Sequence, residues 1–184
     1  MRLRLERIIR ADPVLMELLA FLRATALPEW RVVSGCLYQT VWNVLEGFPR
    51  GHGIQDYDVI YNDAADPSWE AEDAVIRRLD ACPVRPLQVR NQARVHLWFE
   101  QRFGLACAPL RAADESLSRY PMTVQAAGAR LEADGSLDII APFGLEDMFA
   151  MVARPNRALD NRSTFEAKAA RARAVWPGVA VVPW

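Results

Sequence analysis

Two carboxylates one residue apart, Asp56 and Asp58, stand in the run Ile-Gln-Asp-Tyr-Asp-Val-Ile-Tyr at residues 54–61. That run is the best strand candidate in the chain. Side chains alternate along a strand, so the two acids share one face, with Cα atoms about 6.6 Å apart. Tyr57, Val59 and Tyr61 fall on the opposite face, where they can pack. Adjacent carboxylates repel unless a cation or a proton offsets their charge. Magnesium takes oxygen ligands and commonly combines one or two protein carboxylates with substrate phosphates. Some twenty residues earlier, Ser34 and Gly35 form a turn between a short strand, Trp30 to Val33, and a helical stripe of Leu37, Tyr38, Val41, Trp42 and Leu45. Backbone N–H groups at a helix start form a ready phosphate site. The combination suits a metal-bound nucleotide. The alternative is that Asp56 and Asp58 are the solvent face of an edge strand. A DxD pair alone carries little weight; its coupling to the glycine turn favours the metal site.

Other polar residues are open to two readings. Arg90, Arg94 and His96 surround Asn91, either as contacts to a triphosphate or acceptor, or as a solvated helix start with paired arginines. His52 lies in the glycine-rich stretch 47–53 and reads first as an exposed loop residue. Glu146 and Asp147 suit the first turn of a helix. Ser34 has no evident His and Asp partners, which argues against a serine hydrolase. The six tryptophans read as core rather than as a stacking platform.

The elements that must position these residues follow from periodicity and punctuation. Asp12 and Pro13 cap a helix whose stripe is Val14, Leu15, Leu18, Leu19 and Leu22. Asp66-Pro67 opens a helix with Trp69, Val75, Ile76 and Leu79 inward. A strand at 87–90 precedes a helix capped by Asn91, with Val95, Trp98, Phe99 and Phe103 as its stripe. Strands at 123–131 and 137–141 flank the hairpin signal Asp134-Gly135. Leu145, Met148, Phe149 and Val152 predict another helix, and Ser163-x-x-Glu166 a capping box opening a last helix that ends at Trp176-Pro177. The order predicts an α/β (α+β) domain, a mixed β-sheet flanked by helices. It is read as one domain over 1–184, with 1–26 an N-terminal helical extension and 143–184 carrying C-terminal helices.

Composition bounds the partners. Hydrophobic residues make up 52% and charged residues 24%, an ordinary folded balance. The net charge of −1 argues against an extended nucleic-acid surface. Lys168 is the only lysine, read as compositional bias. Cys36, Cys82 and Cys107 form no CxxC or zinc pattern. With a charge-interrupted N-terminus and no apolar run near ~18 residues, a reduced cytoplasmic protein without membrane contact is expected.

The segments VVSGCLYQTVWN, DYDVIYND, VRNQARVHLWFE and APFGLEDMF, in this order, resemble a small bacterial family of nucleotidyltransferases within the superfamily built on a polymerase-β-like palm. The resemblance covers roughly residues 27 to 178. It implies a nucleotidyltransferase-like fold and transfer of a nucleoside monophosphate from a nucleoside triphosphate to an acceptor. It implies Asp56 and Asp58 as catalytic ligands of Mg2+ or Mn2+, and Ser34 and Gly35 at phosphate; the polar patch itself offers Asn91 and Arg94 as further nucleotide contacts. The chain departs from the superfamily pattern twice. Cys36 replaces the usual Gly or Ser, and the third carboxylate is left between Asp138 and Asn91 as a stand-in. The second departure keeps an alternative open: a catalytically degenerate nucleotide-binding or antitoxin-like module on the same fold.

Overall fold

The computed structural model describes residues 1–184. A five-stranded mixed sheet organises the molecule, in the order β3-β2-β1-β4-β5. Its strands are β1 (Arg31–Val33), β2 (Tyr57–Tyr61), β3 (Leu87–Asn91), β4 (Gly128–Leu131) and β5 (Leu137–Ile140). Strand β1 runs antiparallel to both β2 and β4, β4 antiparallel to β5, and β2 parallel to β3. Helix α3 (Gly35–Glu46) follows β1 directly, and α4 (Trp69–Leu79) is the crossover between the parallel strands β2 and β3.

The two faces of this sheet differ. Val32, Val59, Val89, Ala129 and Ile139 point into the principal core of 36 buried residues, which also receives helices α1 (Arg2–Ala11), α2 (Pro13–Arg23), α3 and α7 (Arg162–Val175). Val33 and Ile60 point the other way, into a cluster of five with Ala113, Leu117 and Ala126. The 3-10 turn Ala113–Arg119 covers part of that second face and leaves the rest open. Alternation puts Asp58 on this less covered side.

Several local expectations are corrected. The extension before Pro28 is two helices, because Leu5 and Ile9, fully buried, give the charge-interrupted start an inner face. Asp12 sits between them and accepts from the Val14 and Leu15 N–H groups. Helix α4 starts after Ser68, whose hydroxyl accepts from Ala71 N–H, and Trp69 is 52% exposed rather than inward. Residues 92–103 are not one helix but a 3-10 turn (Gln92–Leu97) followed by the five-residue α5 (Phe99–Phe103). Thr123–Gln125 is a 3-10 turn, not strand. Helix α6 spans only Glu146–Phe149, after which β6 (Val152–Ala153) pairs in parallel with β7 (Ala180–Val181). No capping box opens α7: Asn161 precedes it, and Glu166 pairs with Arg162 instead. No helix is long and apolar enough to cross a membrane.

Candidate functional site

The turn at Ser34 forms because β1 must stop on the open face and reverse into α3. Ser34 takes φ 63° and ψ −123°, a conformation that an L-residue adopts only under strain. Its N–H donates to Ala127 O at 3.1 Å, which ties the turn to the chain entering β4. Its side chain caps nothing, so the first N–H groups of α3 keep no side-chain partner. Gly35 has no such φ demand. A Cβ there would stand 3.3 Å from Gln39 Nε2, the end of a flexible side chain that can give way. Cys36 turns inward, fully buried, and burial, with Asp58 and Asp56 adding to it, pushes its thiol well up. It is an inert core residue whose N–H still belongs to the first turn. Strain at Ser34 makes a prediction: Ser34→Gly should stabilise the unliganded protein by about 1 kcal/mol, measured by urea unfolding, and a loss of stability would contradict the strained geometry.

Antiparallel pairing sets Asp58 opposite Val33, the residue before that turn, so their Cα atoms are about 4.5–5.5 Å apart. Asp56 lies one residue outside β2, and its Oδ2 accepts from Gln88 Nε2 at 2.6 Å. Burial first, and then the charge of Asp56, push the Asp58 carboxyl up to about 6, against the pull of Lys168 and Arg90. The charged form of Asp58 is thus disfavoured where it stands. Gly53, in the loop leading to it, has φ 71°, and a Cβ there would meet the Trp176 ring at 2.6 Å, so only glycine fits the path.

In front of Asp58 opens a cleft of about 480 Å³. Ser34, Gln88 and Arg90 line it from the sheet, Arg102 and Arg119 from the far wall, and Asp160 and Lys168 from the α7 side. Phe165, Ala169 and Ala172 anchor α7 in the core, and this turns Lys168 outward to the cleft. Arg90, Arg102, Arg119 and Lys168 make none of the ion pairs found in the protein. Cations so placed face one another across open space and are suited to a polyanion. Tyr120 also lines the cleft; burial, with Asp58 and Cys36 adding to it, pushes its phenol far above the ordinary range, so its hydroxyl stays neutral.

Of the residues singled out in the sequence, Ser34 and Asp58 line the cleft, with Gly35 and Asp56 next to them. Asn91 and Arg94 are placed elsewhere. Alternation along β3 turns Asn91 away from Arg90 into the interior, where it is 1% exposed. There it accepts from the N–H groups of Asp63 and Ala93 and donates to Asp63 O. Arg94 pairs with buried Glu72 at 2.7 Å and lies over the Trp69 ring. Asp138 stands on β5, three strand spacings or about 14 Å from β2, held by Arg31 at 2.8 Å. The residue that β3 sets beside Asp58 is Gln88. No third acid, histidine or cysteine joins the aspartate pair. His52 stacks on Phe48, away from the cleft. Sequence reasoning passed over Gln88, Arg102, Arg119, Asp160 and Lys168, of which only the solitary lysine carried a signal.

A sheet with a strained serine turn, an adjoining aspartate pair and a cationic cleft defines a class. Residues 20–181 match the family model described as nucleotidyltransferase, and the chain belongs to that family. Among solved structures it is similar to a protein whose NMR structure reveals a CCA-adding enzyme head domain, at 20% identity with a TM-score of 0.81 over 98% of this chain and 95% of that one. It is also similar to a CCA-adding enzyme in complex with CTP, at 16% identity with a TM-score of 0.59 over 97% of this chain and 43% of that one. At these identities the likeness establishes the head-domain fold, and the chain spans under half of the CTP-bound enzyme. No curated protein matches.

Proposed function

We propose that the protein transfers a nucleoside monophosphate from a metal-bound nucleoside triphosphate to an acceptor. The observation that carries this is the pairing of Asp58 with Val33. It sets a carboxylate whose charge burial and Asp56 disfavour beside the uncapped start of α3, in a cleft lined by four cations free of acid partners. Triphosphate oxygens meet the N–H groups after Ser34, with Gly35 allowing close approach. Lys168 and Arg90 balance the remaining charge. Asp56 and Asp58 fit a divalent cation: they are hard oxygen donors, mutually repelling, and the Asp58 carboxylate makes no hydrogen bond to protein. A bound Mg2+ or Mn2+ supplies charge neutralisation at the phosphates. The acceptor oxygen bonds to the α-phosphorus as the bond to the β-phosphate bridging oxygen breaks; pyrophosphate leaves and the acceptor proton passes to solvent. The mixed sign of the surface, net −1 overall, favours a small or locally bound acceptor over an extended nucleic acid.

A non-catalytic nucleotide-binding module is the second reading, favoured by Gln88 standing beside Asp58 without a third carboxylate. Both readings expect binding; only the first expects turnover. Thermal unfolding with ATP, GTP, CTP and UTP, each with Mn2+, tests the binding they share. At ~100 times the dissociation constant a ligand adds about 2.7 kcal/mol, or roughly 5–10 °C for a chain of this size. No shift with any of the four at millimolar concentration would remove both readings.

A further inference from the structure

The cleft has a second end of different character. Trp98, Phe99 and Phe103 line it together with Arg102. Helix α5 buries none of its five side chains, and Phe103 is 46% exposed. Ring centroids lie 4.8 Å apart for Phe99 and Phe103, 6.1 Å for Trp98 and Phe99, and 6.3 Å for Trp98 and Phe103. The Arg102 guanidinium stands 5.9 Å from the Trp98 centroid and 5.4 Å from that of Phe103, with no acid to pair it. These residues face the same opening as Asp58 and Lys168. A satellite core would bury such rings, whereas Phe103 is exposed and Trp98 and Phe99 are only half-buried. Flat aromatic faces beside a planar cation are the surfaces that stack nucleobases.

A nucleoside triphosphate has the same two-part character as the cleft, a polyanionic chain and a flat ring. Resting on the nucleotide-binding reading above, we infer that Trp98, Phe99 and Phe103, with Arg102, stack the base of the donor nucleotide. Stacking accepts any base, since each has a π face, so selectivity among the four nucleotides comes from edge contacts. Arg119, held by Cys107 Sγ and Ala108 O, is the donor placed for them in the same wall.

The experiment compares Mn2+-dependent binding of ATP, GTP, CTP and UTP with that of inorganic tripolyphosphate, by titration calorimetry on the full chain. The wild type is expected to bind at least one nucleotide roughly 5- to 150-fold more tightly than tripolyphosphate, the range that one stacked base contributes. Phe103→Ala, at an exposed position that the fold does not need, and Trp98→Ala should each erase most of that margin and leave tripolyphosphate affinity unchanged. Trp98→Phe should keep it. Equal losses for nucleotide and tripolyphosphate, or unchanged nucleotide affinity in both alanine variants, would overturn the inference while leaving the phosphate site standing. Unchanged nucleotide affinity with transfer lost would overturn it too, by assigning the aromatic end to the acceptor. A wild type that binds neither ligand would instead remove the phosphate site and, with it, the base site.

Discussion

Asp58→Asn is expected to make the metal-free protein more stable at pH 7.5 and to abolish its response to nucleotide and metal. The Asp58 carboxyl is pushed up to about 6 from 3.8, first by burial and then by Asp56. The folded state therefore holds that proton more tightly than the unfolded chain between about pH 4 and 6. The stability carried by protonated Asp58 is full below the unfolded value and is lost as pH rises through about 6. At neutral pH the charged form costs up to about 3 kcal/mol. Asparagine keeps the shape without the charge, so the variant should gain about 1–3 kcal/mol at pH 7.5 and nothing at pH 4. Urea unfolding at the two pH values reads this directly. The same change removes a ligand from the pair proposed to hold the cation that offsets phosphate charge, and transfer should fall on the order of 10³-fold. A variant that gains no stability at pH 7.5 would contradict the electrostatics of the site. One that still responds to nucleotide and Mn2+ would contradict its role.

Lys168→Ala should weaken triphosphate binding roughly 10-fold or more, the scale of one charged hydrogen bond at 1.5 kcal/mol or above. Lys168 is exposed and unpaired, and it faces the cleft from a helix held by Phe165, Ala169 and Ala172. Stability should stay within about 0.5 kcal/mol of wild type. Lys168→Arg should recover most of the affinity, and added salt should narrow the difference between wild type and alanine variant. Isothermal titration with Mn2+ and the tightest of the four nucleotides measures it. Unchanged affinity in the alanine variant would mean that the triphosphate lies elsewhere in the cleft.

What was legible in the sequence was local. The aspartates and the serine-glycine turn sit on neighbouring elements, and strand alternation together with a helix start defines their geometry without tertiary information. The mixed sheet followed from the same element order. The cationic wall was not legible, because Arg102, Arg119 and Lys168 reach the cleft only through packing of segments distant in sequence. Lys168 was visible as the one lysine among 22 basic residues and was read as bias. Trp98, Phe99 and Phe103 have helical spacing, but spacing alone carries no information on whether their shared face meets the core or the cleft. The spacing that suggested Asn91 and Arg94 carried no information on which side of β3 each would fall, and Glu72 on α4 was available to claim Arg94. Strands β6 and β7, of two residues each, are too short for alternation to register.

The central claim is that a nucleoside monophosphate, not a terminal phosphate, leaves the nucleotide at this aspartate pair. The direct measurement is label transfer from α-labelled and, separately, γ-labelled nucleoside triphosphates into a cell extract with Mn2+, using wild type, Asp56→Asn and Asp58→Asn. The account predicts that wild type transfers the α-label with release of pyrophosphate, that the γ-label stays with the pyrophosphate, and that both variants transfer on the order of 10³-fold less. Transfer of the γ-label, equal α-transfer by the variants, or no transfer by wild type from any of the four nucleotides would contradict it.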